Sequence, residues 1–308
     1  MYNGVIVVNK EAGFTSHDVV AKLRGILRQK KIGHTGTLDP DATGVLPVCL
    51  GHATKLCDML TDKDKTYEAV MLLGRVTDTQ DISGKVLEEC DMYSLREDGR
   101  LSDDEILEAI TSFIGEYSQI PPMYSALKVN GKKLYELARE GIEVERKPRE
   151  VFIHAIEDIR LDYPRVTMTV SCSKGTYIRT LCHDIGAKLG CGACMEHLKR
   201  TKVSTFTIDE ALTLDEISEL AQSGNGIEAC IISVEKIFET YMPVYTKAEF
   251  DRLIYNGNSL RKNMVTFKDN VKPSDGEKLR VYDSKGTFMG VFVYREHEKL
   301  LKVEKMFL

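Results

Sequence analysis

Gly33-His34-Thr35-Gly36-Thr37-Leu38-Asp39-Pro40-Asp41-Ala42-Thr43-Gly44-Val45-Leu46-Pro47 is the stretch on which the reading of this 308-residue chain turns. Glycines at 33, 36 and 44 can adopt backbone shapes closed to other residues and let a ligand come close to the main chain. Asp39 is held extended by the ring of Pro40 behind it. No Gly-Lys-Ser/Thr ending follows, so this is not a phosphate-binding loop of the nucleotide-hydrolase kind. Two readings stay open from the residues alone: a structural turn in which Asp39 caps a helix, or a carboxylate presented to a ligand. The glycines and prolines make the whole of 31–51 loop-like.

Outward from that loop the elements are uneven in spacing. VIVV at 5–8 reads as a short buried strand, and Thr15-Ser16-His17-Asp18 as the start of a helix running to about Arg28. Apolar and β-branched residues from Tyr67 to Leu73 suggest a strand. Ser102-x-x-Glu105 is a capping box with Leu101 and Ile106 as its staple, opening a helix to about Gly115 with an apolar stripe of Ile106, Ile110, Phe113 and Ile114. Val166, Met168, Val170 and Cys172 alternate with Thr167, Thr169 and Ser171, a half-buried strand in antiparallel surroundings. A helix from about Tyr177 to Leu189 stops at Gly190, and another is stapled by Leu212 and Ile217 around Thr213-x-x-Glu216. After Pro243 a short helix capped by Thr246-x-x-Glu249 and ending at Gly257 precedes strands at 264–267, 279–283, 287–294 and 299–305. The pattern predicts an α+β fold, with domains at 1–240 and 241–308.

Composition bounds the function classes. Hydrophobic residues at 43% and charged residues at 29% suit a chain with a real core, and no apolar run is long enough to span a membrane. Eight cysteines without an export signal point to a reduced, cytoplasmic protein. The net charge of −5 hides a segregation: five basic residues and no acid between Val19 and Leu38, seven basic against two acids in 165–202, and seven against four in 128–149. The acids concentrate at 78–108, eleven against three, and at 207–240, eight against one. Such a distribution can build a basic face on an acidic protein, or simply a set of solvated helix faces; charge alone leaves RNA binding undecided.

The Gly33–Pro47 stretch resembles the TruB family of tRNA pseudouridine-55 synthases, and the resemblance continues along the chain. Gly4-Val5-Ile6-Val7-Val8-Asn9-Lys10 with Gly13-x-Thr15-Ser16 is similar to the family's opening motif, departing at Asn9 and Glu11, where Asp and Pro are usual. Asp64-Lys65-Thr66-Tyr67, Gly74-x-x-Thr77-Asp78-Thr79-x-Asp81-x-x-Gly84, Cys172-Ser173-Lys174-Gly175-Thr176-Tyr177-Ile178-Arg179 and Leu198-x-Arg200 match further blocks in order. Ile120-Pro121-Pro122-Met123-Tyr124-Ser125-Ala126-Leu127-Lys128 with Gly131-Lys132-Lys133-Leu134-Tyr135 resembles the bacterial insertion, about 120–145, that grips the tRNA arm.

The resemblance implies a mixed, mainly antiparallel sheet flanked by helices, followed by a small β-rich PUA-like RNA-binding domain. Turning uridine into pseudouridine breaks an N-glycosidic bond and rejoins the base through carbon 5; no atom is added and no electron moves, so no metal or redox cofactor is called for. It needs a carboxylate at the anomeric carbon, as in retaining glycosidases. By resemblance Asp39 is that group, Arg179 the guanidinium that keeps it ionised, and Tyr67 the aromatic that stacks on the uracil and a candidate acceptor for the C5 proton, a role that asks for a shifted phenol pKa or a concerted transfer. Flipping the base costs a few kcal/mol, and stacking returns about 1–3 kcal/mol per base. Tyr177 would add stacking, Leu198 an apolar wall and His34 a filler of vacated space, with Lys10, Asp81, Lys174 and Arg200 as further substrate-binding positions. The expected partner is the T stem-loop of tRNA, met by a monomer without guide RNA.

Three competing readings frame the test. Cys191-x-x-Cys194-x-x-His197, with Cys172, Cys182 and His183 upstream, has some zinc-like spacing but lacks a second C-x-x-C pair. A non-catalytic RNA-folding protein would need the grip but not Asp39, Tyr67 and Arg179 together. A guide-dependent dyskerin-like subunit would share the Asp39 region but lack the 120–145 insertion.

Overall fold

The computed structural model describes residues 1–308 apart from 130, 225 and 268–270. Strand β1 (Gly4–Lys10) is a continuous apolar run because both of its faces are covered. Ile6 and Val8 meet helix α1 (Ser16–Ile26), while Val5 and Val7 face a second cluster with Leu56 and Phe238. Thr15 and Asp18 close the capping box that starts α1.

The expected loop at 31–51 is instead two strands around a short turn: β2 (Ile32–His34) and β3 (Thr43–Leu50), the latter buried along almost its whole length. Pro47 is tolerated there for a local reason. Its carbonyl accepts the Thr35 N–H, and a strand residue's N and O point to the same side, so the missing donor falls at the gap between β2 and the strand that flanks β3 further along. Glycine and proline content hid a core strand.

Beyond β3 follow α2 (Cys57–Thr61), β4 (Lys65–Leu73), the hairpin β5 (Arg75–Thr77) and β6 (Val86–Glu89), α3 (Met92–Glu97), α4 (Asp103–Thr111) and β7 (Gly115–Gln119). Ile106 and Ile110 are buried as expected, but α4 ends before Ile114, which stays exposed. The 120–145 segment forms a small hairpin, β8 (Lys128–Val129) and β9 (Lys132–Lys133), and α5 (Leu134–Arg139), around its own core of Met123, Leu134 and Leu137. Then come β10 (Arg149–Asp162), β11 (Arg165–Cys172), α6 (Ile178–Leu189), β12 (Ala193–Val203), β13 (Phe206–Thr207), α7 (Leu214–Ser223) and α8 (Val234–Ile237). Gly190 ends α6 in the left-handed conformation, φ 72°.

These strands make one nine-stranded sheet in the order β1-β3-β12-β4-β11-β10-β7, with β2 beside β3 and β13 beside β12. All pairings are antiparallel except β3 with β12, so the fold is the mixed, mainly antiparallel α+β arrangement. A second sheet, of six strands, begins at β14 (Met242–Thr246) and continues, after α9 (Asp251–Tyr255), through β15 (Leu260–Arg261), β16 (Val265–Phe267), β17 (Lys278–Tyr282), β18 (Phe288–Arg295) and β19 (Leu300–Met306). It has its own core around Val244, Leu279, Val281 and Phe292, a β-rich, barrel-like unit of PUA-like kind. The capping box expected at Thr246 and Glu249 is absent: Thr246 ends β14, and its hydroxyl donates to the Asp251 carboxylate.

The centre of the large sheet sets up the site. Arg200 of β12 lies opposite Gly44 of β3 on one side and Tyr67 of β4 on the other. Gly44 has φ 101°, and a Cβ there would stand 2.2 Å from the Arg200 carbonyl oxygen. Because that neighbour is backbone in mid-sheet, Gly44→Ala should destabilise the fold by about 2–5 kcal/mol in urea unfolding. A loss under about 1 kcal/mol would show that β3 and β12 can part without cost.

Candidate active site

Asp39 sits at the tip of the turn between β2 and β3, and Arg179 in the first turn of α6. The fold brings them together. Arg179 Nε lies 3.0 Å from Asp39 Oδ2, and Nη2 lies 3.3 Å from Oδ1, the two-pronged pairing a planar guanidinium makes with a carboxylate. The rest of the guanidinium is occupied too: Nη2 donates to the Tyr124 carbonyl at 2.8 Å, Nη1 to the Thr79 carbonyl at 3.2 Å, and Nη1 stands 3.6 Å from Asp81 Oδ2. Asp81 is itself fixed through Oδ1 by Thr79 and Ser83. It is therefore a second anchor for Arg179, and its side chain is mostly covered.

Asp39 remains accessible. Its side chain keeps 40% exposure while that of Arg179 keeps 6%, so the acid faces outward and the base backs it. The turn reading fails: the main-chain turn closes from Ala42 N to the Asp39 carbonyl, and the carboxylate goes to Arg179. Protein packed around the carboxyl raises its pKa above the ordinary range; Arg179 opposes that rise, and Asp81 reinforces it. The net direction is opposite to that expected from the guanidinium alone. If the carboxylate is the reactive form, kcat/KM falls as pH falls through this raised value. A pH profile whose acid limb lies no higher than about 3.9, the ordinary aspartate value, would remove Asp39 from that role.

Tyr67, Leu198, Leu38 and Ala42 belong to one buried cluster beside the acid. Tyr67 is 8% exposed, and burial raises the pKa of its phenol, with the nearby Arg200 guanidinium pulling the other way. The raised pKa keeps the phenol protonated at neutral pH in the free protein, which favours a concerted transfer over a preformed phenolate in the proton-accepting role.

Two expected substrate-binding residues are corrected by their burial. Lys10 is fully covered, its ammonium donating to the Glu11, Phe14 and Pro40 carbonyls at 2.9, 2.6 and 2.8 Å. Arg200 is 1% exposed and donates to the Val45, Thr37 and Gly36 carbonyls at 2.7, 3.4 and 3.5 Å. Both are cations spent on main-chain oxygens, and together they clasp the Asp39 turn from its two ends. Neither has a surface to offer a phosphate.

The remaining positions are spread more widely. His34 is half-buried, edge-on to His17 at 5.0 Å, and its Nδ1 accepts the Gly36 N–H. Burial lowers its pKa, so it is a neutral ring at the mouth of the turn. Tyr177 is the residue that precedes α6, with its main chain tied to Gln119. Lys174 is exposed and paired with Asp62 at 2.9 Å. Sequence reading missed Thr79, Tyr124 and Gln119, because each acts through or upon a backbone group that leaves no side-chain signature. Among the described residues no cluster of three or more His, Cys, Asp or Glu is placed to hold a metal ion. Cys191 and Cys194 are buried in the sheet's core region.

The Asp39 carboxyl is reachable from solvent. Two concavities of about 380 and 510 Å³ lie elsewhere, lined by the β4–α3 region and by Ile120 with residues 143–146.

Residues 24–178 match the family model described as TruB family pseudouridylate synthase, N-terminal domain, and residues 179–239 match the tRNA pseudouridylate synthase B C-terminal domain. The chain belongs to the TruB family. A tRNA pseudouridine synthase B of Lachnoclostridium phytofermentans is 52% identical, covering 99% of this chain and 100% of that protein. Another, from Clostridium perfringens, is 44% identical over 99% of both. Among solved structures, a Cbf5–Nop10–Gar1 complex gives a TM-score of 0.71 at 27% identity, covering 99% of this TruB-family chain and 85% of the matched one. An H/ACA ribonucleoprotein bound to a substrate RNA containing 2'-deoxyuridine gives 0.71 at 26% identity, with the same coverage.

Proposed function

We propose that this chain, a tRNA pseudouridine synthase, isomerises uridine 55 in the T loop, acting in the cytoplasm without guide RNA, with Asp39 and Arg179 as its reacting pair. The observation that carries the reading is the two-pronged Asp39–Arg179 contact with the acid side open to solvent. Asp39 supplies negative charge to the anomeric carbon as the N1–C1' bond breaks; the base turns over and C5 bonds to C1'. The C5 proton then leaves and N1 gains one, so product and substrate have the same composition. Tyr67 and Leu198 offer the extruded uracil an aromatic face and an apolar wall. Four exposed cations on and after α1, Lys22 (over the Phe14 ring), Arg28, Lys30 and Lys31, supply charge to meet phosphates, a role that the buried Lys10 and Arg200 cannot fill; Arg24, also exposed, donates to the Lys30 and Ile32 carbonyls.

The structural likeness to H/ACA complexes keeps a guide-dependent reading in play. One experiment separates the two. Purified protein is incubated with an unmodified tRNA transcript and nothing else, and pseudouridine is mapped by carbodiimide adducts and primer extension. Conversion at position 55 alone is expected. Binding without conversion, or conversion that needs added RNA or protein, overturns the proposal.

A further inference from the structure

Gln119, the last residue of β7, is 1% exposed; both ends of its amide meet the main chain of one residue, and its side chain also bonds the Tyr117 hydroxyl on the same face of the strand. Oε1 accepts the Tyr177 N–H at 2.8 Å, and Nε2 donates to the Tyr177 carbonyl at 2.9 Å. The side chain thus does what a neighbouring strand would do for an isolated residue. Tyr177 is the N-cap position of α6 and makes no side-chain cap of its own; Gln119 does not replace that cap, which would accept from an N–H inside the first turn, but ties down the main chain of the N-cap residue itself. Arg179 follows two residues later in the first turn of that helix. Helical geometry passes the position of Tyr177 on to the Arg179 backbone.

The same stretch of chain reaches the other end of the arginine. Five residues after Gln119, the Tyr124 carbonyl accepts Arg179 Nη2 at 2.8 Å. The entry to the 120–145 insertion therefore holds Arg179 at both backbone and head group. We propose that Gln119 is a positioning residue for the reaction: it fixes the start of α6 so that the Arg179 guanidinium meets Asp39 on both oxygens. This rests on the reading of Asp39 and Arg179 as the reacting pair.

A purely structural role would look different, and α6 itself supplies the comparison. Ile185, six residues beyond Arg179 in that helix, is fully buried in the core of the large sheet. Ile185→Val removes one methyl group there and loosens the helix packing without touching Gln119 or the start of α6.

The test measures kcat, KM, melting temperature and the pH profile of kcat/KM on tRNA transcript for Gln119→Met, Gln119→Glu, Ile185→Val and Asp39→Asn. Gln119→Met is expected to keep KM within about twofold and lower kcat about tenfold. Its acid limb should move up by about half a pH unit or more, as the loosened guanidinium lowers the Asp39 pKa less. Gln119→Glu keeps the acceptor for Tyr177 N–H, while Leu181 N–H still occupies the Tyr177 carbonyl, so it should recover part of kcat; it also carries the test should Gln119→Met not fold. Ile185→Val should lower the melting temperature with the acid limb unmoved. Wild-type kcat and pH profile in the Gln119 variants, or an equal shift of the limb in Ile185→Val, overturns the proposal. Turnover in Asp39→Asn overturns the underlying assignment instead, whatever the Gln119 variants do.

Discussion

Asp39→Asn should bind tRNA as the unaltered protein does and turn it over at least about 10⁴-fold more slowly. Asparagine has nearly the volume of aspartate and can still accept from Arg179 through its Oδ1. What it loses is the charge. Arg179 keeps Asp81 at 3.6 Å and the Thr79 and Tyr124 carbonyls, so it is not left as an unpaired buried cation, and the local fold survives the change. On the proposed reading RNA affinity comes from contacts with phosphates and the shape of the T arm, to which one amide contributes little. Filter binding gives the affinity, and release of label from C5 of uridine gives the rate. Turnover within about tenfold of the unaltered protein would show that some other group attacks or stabilises the sugar. Loss of binding in step with turnover would instead assign Asp39 to recognition.

The parts of this architecture that could be read in advance are those where one residue type has one local job. Thr15 with Asp18, Ser102 with Glu105 and Thr213 with Glu216 open helices where their spacing says they should, and Gly190 closes α6. The alternation at 166–172 became β11, with its apolar side in the core. Where a residue's job is set by a distant partner, local reading fails. Strand β3 looked like a loop because Gly44 and Pro47 are turn formers by composition, yet each is accommodated by its neighbours, Arg200 of β12 and Thr35 beyond β2. Strand β10 carries no clean alternation, since its register shifts at 153–155 and 157–160 and Asp158 has φ 51°.

At the site the division is the same. Asp39, Tyr67 and Arg179 could be named from their motifs, but the burial of Lys10 and Arg200 could not, because a lysine or arginine in a motif reads equally as a phosphate contact or as a cation tied to carbonyls. Nor could the direction of the Asp39 pKa be foreseen, since it is decided by how closely protein surrounds the carboxyl. Thr79 and Tyr124 contribute main-chain carbonyls, which every residue possesses, and the side-chain amide of Gln119 meets the main chain of Tyr177, a partner 58 residues away.

Arg179→Lys should lower turnover by about 10²–10³-fold while leaving tRNA affinity nearly unchanged. The guanidinium spans two Asp39 oxygens, two carbonyls and Asp81 from a single plane. An ammonium on a flexible stem has three donors around one point and cannot cover that spread. At least one carbonyl or one Asp39 oxygen loses its partner, and the turn bearing the acid loosens. Because the guanidinium is the main influence lowering the Asp39 pKa against burial, weakening it raises that pKa further. The acid limb of the rate profile should therefore move upward by about one pH unit, and raising the pH should restore part of the lost rate. The competing assignment, an arginine that grips phosphate, makes the opposite forecast. Weaker binding at every sequence, a shallower salt dependence by about one ion and an unmoved pH profile would follow. A side chain with 6% exposure, facing two carboxylates, is poorly placed for that role: a phosphate would have to displace Asp39 or Asp81 to reach it. The direction in which the acid limb moves thus decides whether Arg179 serves the acid or the RNA.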